Sequence, residues 1–464
     1  MKSMFSFRQG ASAAVLSLLI AGGAMADTAP SITGPIAATA QPGSPSHDYP
    51  FFASNKDLAA QGYIEQEYFL HGNASRYDIP SPLATGTVAD SHPYGTRIVV
   101  RRPADPKKFN GTVIVEWDNV SNQFDAENVW FWDADHLIQA GYAFVGVSAQ
   151  KAGVDYLRKW NGKRYAGLDV TADGAVTDDS LSYDIFTQVG AALRHPGAID
   201  PLGGLKPKHL IATGESQGAG RLVNYINAVQ PLTKEYDGFV LLSSGSLVRS
   251  DLNAPVFKVL TEYDVATGEA AQHQPDTARL RTWEIAGTSH MDHQARIQRE
   301  PLELRDTLIS SETGIAQPCT YPDIGTRVPT HYVLSSAIDK TVRWIEGTAP
   351  PSAPTIQTTS VNPRPGKSVI ARDSAGLALG GIRLSELAQP TRINVGLNIG
   401  PGGCEKWGYS YPIDLDALNA RYSSHKAYVA AVTRQTEANL KAGYILAADA
   451  QATIREAEGS HVGR

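Results

Sequence analysis

The feature that most constrains this chain is a tight glycine-rich turn at residues 214–218, with the sequence GESQG. A strand-like run precedes the turn, and four apolar residues follow it on one face at helical spacing: Leu222, Val223, Ile226 and Val229. Side chains at Gly214 and Gly218 would collide with neighbouring backbone in a strand that turns so sharply into a helix. The pattern therefore predicts a strand–turn–helix unit that lifts Ser216 out of a sheet, with its hydroxyl at the N-terminus of the helix.

A serine presented in this way can act as a nucleophile if an acid and a histidine follow it along the chain. Residues 254–264 are typical of a buried strand that ends in two carboxylates, Glu262 and Asp264. Residues 281–290 are typical of another strand, followed by a loop of small residues that presents His290. We therefore predict Ser216 as nucleophile, His290 as general base and Asp264 as the acid that orients the histidine.

Two of these assignments have a competitor nearby. Among the twelve histidines, His293 lies only three positions from His290, which is favoured because it comes first after the strand and its flexible loop. Asp264 is favoured because the acid usually lies in the loop just past a strand. Glu262 is closer to the strand end and could instead cap a helix or hydrogen-bond locally, so it is kept as the alternative acid.

The sequence HMDH at residues 290–293 also resembles half of the metal-ligand pattern of metallo-β-lactamases. Thr288 occupies the position of the preceding histidine ligand, and neither Cys319 nor Cys404 is spaced for a zinc site. We expect no catalytic metal and no cofactor.

The N-terminus is typical of a secretory signal peptide. Lys2 and Arg8 precede an apolar stretch at residues 13–20, and the sequence Ala24-Met25-Ala26 forms a cleavage site. Residues 1–26 are therefore predicted to be removed, and the apolar stretch is too short to span a bilayer. We expect a periplasmic or secreted protein.

The two cysteines, Cys319 and Cys404, are predicted to form a disulfide, because an oxidising compartment favours a bridge over two free thiols. The formal net charge is −6, which gives no reason to expect nucleic acid or an anionic membrane as a partner. The sequence gives no information about the oligomeric state.

Strand-like and helix-like segments alternate through the middle of the chain, which predicts a doubly wound, mostly parallel α/β sheet. Within it, residues 96–100 and 111–117 are typical of neighbouring strands. The proline-rich residues 349–354 mark a boundary. We expect a lead-in at residues 27–50 that is either flexible or ordered on contact with the core. A core at residues 51–347 and a C-terminal mixed α/β flank or lid at residues 348–464 follow it.

These segments resemble the α/β-hydrolase superfamily, and within it a largely uncharacterised bacterial family of alpha/beta hydrolase domain-containing proteins. The resemblance covers nearly all of the predicted mature chain and is carried by residues 115–121, 145–151, 214–221, 261–264, 286–292 and 380–383 and the region around Cys404. It implies an α/β-hydrolase fold and a serine-dependent ester hydrolase, and it does not indicate a substrate.

One departure from the superfamily concerns the oxyanion hole. The lipase-type His-Gly-Gly-Gly motif is absent after the strand that ends at Trp117, where residues 118–121 have the sequence DNVS. Main-chain donors tolerate such changes, so we assign the two donors to Gln217 and Asn119. The alternative for Asn119 is an Asx turn with no role in the site.

Together these features predict an exported serine carboxylesterase that acts on small-molecule or oligomeric esters. Amide or peptide hydrolysis on the same residues, or a non-catalytic binding protein with the same fold, are the alternatives. Four aromatic side chains could line an acyl site or pack in the core: Phe124, Trp130, Phe131 and Trp132.

Overall fold

The computed structural model describes residues 29–309, 319–359 and 367–463, so the predicted signal peptide lies outside the described residues. Within these residues one large sheet has nine strands in the order β1-β2-β3-β5-β4-β6-β7-β8-β9. Their bounds are β1 Ser31–Thr33, β2 Tyr63–Asp78, β3 Thr87–Pro103, β4 Thr112–Trp117, β5 Ala143–Val147, β6 His209–Glu215, β7 Gly238–Leu242, β8 Val256–Thr261 and β9 Leu280–Ile285.

The sheet is mostly parallel. The β1–β2, β2–β3 and β3–β5 pairs are antiparallel. All pairs from β5 to β9 are parallel. Every residue of β4, β5, β7, β8 and β9 is buried, so both faces of the parallel part are covered.

Helices follow the strands and cover these faces. They are α1 Asn128–Gln139, α2 Lys151–Trp160, α3 Ser182–Arg194, α4 Gln217–Asn224, α5 Gln230–Thr233, α6 Glu262–Thr267, α7 His293–Asp306 and α8 Thr330–Ile345. A π-helical turn at Tyr225–Val229 joins α4 to α5. Helix α1 packs against α7 and α8, while α4 packs beneath the turn that contains Ser216.

The prediction that residues 96–100 and 111–117 form neighbouring strands was wrong. These residues belong to β3 and β4, and β5 lies between them, paired with both. After β4 the chain passes through α1 and returns as β5, which lies between β4 and β3. The residue pattern of the two strands does not encode this crossover.

The C-terminal segment packs on the same core. It contains β10 Thr358–Thr359, β11 Val369–Ile370, α9 Ser385–Ala388, β12 Arg392–Val395, α10 Cys404–Trp407, β13 Tyr409–Pro412, α11 Leu415–Arg421, α12 His425–Ala442 and α13 Ala447–Gly459. Ile382 lies beside β9, where its N–H donates to the carbonyl of Glu284 at 2.7 Å. Leu377, Ile382 and Leu387 are buried in the main hydrophobic core. The disulfide between Cys319 and Cys404 adds a covalent link to this segment.

The described part of the lead-in is ordered by contact, which is one of its two expected states. Strand β1 pairs with β2, and Tyr49 is fully buried, with its hydroxyl donating to Oδ1 of Asp306 at 2.7 Å. Residues 29–50 therefore gain their order from contacts with the core, which a segment rich in Pro, Ala and Ser does not reveal by composition.

In the part of the chain that the structure describes, each helix is too short or too polar to cross a membrane.

Candidate active site

The predicted strand–turn–helix unit is formed by β6, Ser216 and α4. Ser216 has φ 52° and ψ −111°, a conformation that costs a non-glycine residue energy and recurs at functional sites. A Cβ atom at Gly214 would lie 2.9 Å from the carbonyl carbon of Gly218, and one at Gly218 would lie 2.4 Å from the carbonyl oxygen of Trp117. Both glycines are therefore required sterically, as predicted.

The structure brings Ser216, His290 and Asp264 together. Oγ of Ser216 is 3.0 Å from Nε2 of His290, and Nδ1 of the same ring is 3.0 Å from Oδ1 of Asp264. The three residues come from the ends of β6, β9 and β8, whose carboxyl ends meet at one edge of the parallel sheet. This is the geometry needed for proton transfer from serine to histidine.

Asp264 is held in place by the start of α6. Its Oδ2 accepts hydrogen bonds from the main-chain N–H and the hydroxyl of Thr261, both at 2.8 Å. Thr261 is the N-cap of the helix, so the carboxylate lies in the first helical turn and not in a loop as expected. The capping contacts leave Oδ1 free to face His290.

The alternative acid, Glu262, points away from His290 and binds other residues of the protein. Its Oε2 accepts the N–H of Gly287 at 2.9 Å, and its Oε1 accepts the N–H of Gly396 at 3.1 Å. The guanidinium of Arg372 lies 2.5 Å from the same Oε1. Glu262 thus joins the loop before His290 to the C-terminal segment.

The other residues of the HMDH sequence also have separate partners. Asp292 is the N-cap of α7, where its Oδ1 accepts from the N–H of Ala295 at 2.9 Å and from Nε1 of Trp132 at 3.0 Å. His293 begins α7, and burial with the nearby Arg327 lowers its pKa to about 4. The structure therefore puts His290, and not His293, beside Ser216.

A fourth side chain at the site, Glu215, was missed by sequence reasoning. It precedes the serine, is almost completely buried, and its Oε1 lies 3.3 Å from Nε2 of His290. Its Oε2 accepts hydrogen bonds from Nδ2 of Asn119 at 2.9 Å and of Asn128 at 2.6 Å. The available signal was an acidic residue at the end of an otherwise apolar strand.

The electrostatic surroundings favour a charged imidazole at position 290. Burial alone would lower the pKa of His290, but the carboxylates of Glu215 and Asp264 outweigh it and raise that pKa above its usual value. Burial in turn raises the pKa of Glu215. The surroundings of His290 therefore stabilise its protonated form.

The two predicted oxyanion donors differ in whether the main-chain N–H already has a hydrogen-bond acceptor in the protein. Gln217 is the first residue of α4, where a main-chain N–H has no partner inside the helix. The N–H of Asn119 instead donates to the carbonyl of Ala126 at 3.0 Å. Its Oδ1 accepts the N–H of Ser121 at 2.8 Å, which is the Asx turn of the alternative interpretation. The geometry thus fits a donor at Gln217 and not at the Asn119 main chain.

A cavity of about 380 Å³ opens onto Ser216 and His290. One wall is formed by the segment from Asn119 to Asn128, including Phe124, and the opposite wall by residues 402–407 of the C-terminal segment. The other three aromatic candidates do not line this cavity. Trp130 packs under the guanidinium of Arg101, Phe131 lies against Phe52, and Trp132 binds Asp292.

Comparisons with known proteins place this site in a wider context. A family model described as an alpha/beta hydrolase domain matches residues 32–455. No curated protein sequence is significantly similar to the chain.

Solved structures with a similar arrangement are distant in sequence. Esterase Est22 is 14% identical, with 45% of this chain and 67% of that chain aligned and a TM-score of 0.28. A dienelactone hydrolase from Anabaena variabilis is 15% identical over 46% of this chain and 83% of its own, with a TM-score of 0.26. An alpha-beta serine hydrolase homologue from Coxiella burnetii is 11% identical over 47% and 93%, with a TM-score of 0.28. The family model covers nearly all of the described sheet and most of the C-terminal segment of the chain. This chain therefore belongs to the alpha/beta hydrolase domain family.

Proposed function

We propose that this alpha/beta hydrolase is an exported serine esterase that cleaves carboxylic esters through an acyl-enzyme. The observation that carries the proposal is the chain of contacts from Ser216 through His290 to Asp264, with 3.0 Å at each step, at the floor of an open cavity. A protein that only binds a ligand has no physical need for these three groups in hydrogen-bonded series.

In the proposed reaction, Oγ of Ser216 attacks the ester carbonyl carbon while Nε2 of His290 takes the hydroxyl proton. The tetrahedral oxyanion accepts a hydrogen bond from the main-chain N–H of Gln217. The alkoxide leaves with the proton from His290, and a water molecule then attacks the acyl-enzyme after giving its proton to the same nitrogen. As the acid leaves, Nε2 of His290 returns this proton to Oγ of Ser216, which restores the free serine. Asp264 and Glu215 stabilise the imidazolium in both steps.

The second oxyanion donor is proposed to be the side-chain amide of Asn128. This residue lines the same cavity as Ser216, and one of its two amide hydrogens is given to Glu215. The other hydrogen has no acceptor among the described residues. By contrast, Nδ2 of Asn119 gives both of its hydrogens to Glu215.

Export is part of the same proposal. It is supported by the N-terminal sequence pattern and by the bond between Cys319 and Cys404, since structural disulfides form in oxidising compartments. The exported protein should begin at Asp27. Exported protein that still contains residues 1–26 would contradict this assignment.

The activity is tested with short-chain 4-nitrophenyl esters and their matched anilides, using the mature protein and the Ser216→Ala variant. We expect turnover of the esters, much slower turnover of the anilides, and a loss on the order of a million-fold in kcat for the variant. Labelling by a fluorophosphonate should occur in the wild type and not in Ser216→Ala.

Each other outcome identifies an alternative. Preferential turnover of anilides would favour an amide or peptide hydrolase on the same residues. Failure of the folded wild-type protein both to label and to hydrolyse any ester would favour a binding protein.

A further inference from the structure

The wall of the cavity that comes from the C-terminal segment is fixed relative to the catalytic histidine. Helix α10 contains Lys406, whose main-chain carbonyl accepts the N–H of Met291 at 3.2 Å, one residue beyond His290. The first residue of the same helix, Cys404, is bonded to Cys319. The main chain of this short helix is therefore held beside the residue that follows His290.

Most charges that line the cavity are already neutralised by the protein. Arg299 and Glu303 are both buried and form an ion pair with 2.6 Å between Nε and Oε1. Glu215 accepts two amide hydrogen bonds and faces His290. The Arg299–Glu303 pair therefore offers a ligand no net charge, and the negative charge of Glu215 is directed toward His290.

Lys406 is the exception. Its side chain lines the cavity and is exposed, and within residues 29–309, 319–359 and 367–463 no carboxylate forms an ion pair with it. The adjacent Glu405 pairs instead with Lys367, at 2.7 Å. The positive charge also reaches the catalytic centre, because Lys406 opposes the protonation of His290 and so acts to lower the pKa of that ring.

We propose that Lys406 binds an anionic group of the substrate. The preferred substrates are then esters that carry an ionised carboxylate in addition to the ester group. The inference rests on the proposed function of Ser216. An ammonium and a carboxylate attract more strongly in a partly enclosed cavity than in bulk water. A cavity of about 380 Å³ admits a small ester of this kind together with its charged end.

The test compares charged and neutral esters of matched shape. 4-Nitrophenyl hydrogen adipate and 4-nitrophenyl methyl adipate differ only in a carboxylate on the acyl side. 4-Acetoxybenzoate and its methyl ester differ in a carboxylate on the alcohol side. The quantity measured is the ratio of kcat/KM for the charged ester to kcat/KM for the neutral one, at low and high ionic strength.

For wild-type protein we expect this ratio to exceed one for at least one pair and to fall as salt screens the charge. In Lys406→Gln the ratio should fall about two- to fivefold, as expected for the loss of one exposed ion pair, and in Lys406→Glu further. Lys426→Gln removes an exposed lysine that lies outside the cavity wall, so it should keep the wild-type ratio. The pair of esters whose ratio falls in Lys406→Gln shows whether the preferred carboxylate is on the acyl side or on the alcohol side.

Equal ratios in wild type and Lys406→Gln for both pairs, with neutral esters still hydrolysed, would overturn this inference and leave the proposed esterase intact. Absence of turnover of all four esters by folded wild-type protein would overturn the proposed function, and the inference with it.

Discussion

Glu215 and His290 form a contact that does not belong to the serine–histidine–aspartate series, with 3.3 Å between Oε1 and Nε2. His290 thus has a carboxylate near each of its ring nitrogens, Asp264 at Nδ1 and Glu215 at Nε2. The second carboxylate lies beside the ring nitrogen that faces Oγ of Ser216, so its charge bears directly on the basicity of the ring.

Glu215→Gln should move the pH profile. Protonated His290 cannot accept the serine proton, so kcat/KM falls as the pH drops through the pKa of His290, which lies above its usual value. Loss of the Glu215 charge lowers this pKa, and the acid limb should therefore shift to lower pH. The profile of kcat/KM against pH measures the shift, and NMR titration of the His290 ring provides an independent reading. A lower rate with an unmoved acid limb would assign Glu215 a packing role only.

Asp264→Asn and Glu262→Gln should have different effects. Asp264→Asn removes the charge beside Nδ1 and should reduce kcat by roughly ten-thousand-fold while the fold is kept. Glu262→Gln breaks a buried contact with Arg372 and should reduce the free energy of unfolding by about 2 to 3 kcal/mol, with a smaller effect on kcat. Steady-state kinetics and denaturant unfolding of both variants check this, and a reversed pattern would make Glu262 the acid.

Gly218→Ala and Gly220→Ala offer a matched pair within α4. A Cβ at Gly218 would be 2.4 Å from the carbonyl oxygen of Trp117, a backbone atom that cannot rotate away, whereas one at Gly220 would meet no atom within 4 Å. We expect Gly218→Ala to lose about 3 kcal/mol of stability together with activity, and Gly220→Ala to gain up to about 1 kcal/mol. Thermal and denaturant unfolding measure both, and equal stability of the two variants would contradict the close approach at Gly218.

Removal of the disulfide should destabilise the protein without abolishing its chemistry. The bond joins residues 85 positions apart, and a loop of this size corresponds to about 4 kcal/mol in the chain-entropy treatment. A Cys319→Ala, Cys404→Ala double variant should therefore unfold at lower denaturant concentration. Intact mass before and after reduction and alkylation checks the bond itself, and two alkylatable thiols in unreduced protein would disprove it.

The parts of the site that sequence reasoning predicted are those encoded locally. The turn at Ser216 depends on two glycines with no room for a Cβ, and the acid and the histidine each follow shortly after a strand along the chain. The doubly wound, mostly parallel sheet followed from the alternation of such runs with helical segments. Each of these features depends on residues close together in the chain.

The parts that sequence reasoning missed depend on contacts between distant residues. The position of β5 between β3 and β4 is decided by a crossover. Lys406 and Glu215 join the site only because the tertiary fold brings the C-terminal segment and the end of β6 to the same cavity.

The contacts of Glu262 limit how this protein can be divided or recombined. Its carboxylate accepts hydrogen bonds from Gly287, in the loop that leads to His290, and from Gly396, in the C-terminal segment. A core cut after residue 347 would retain all three residues of the serine series but would leave this carboxylate without Arg372 or Gly396. The part of the cavity wall formed by residues 402–407 would also be gone. The C-terminal segment is therefore not a module that relatives can exchange freely, and an exchange would have to carry the matching carboxylate and loop with it.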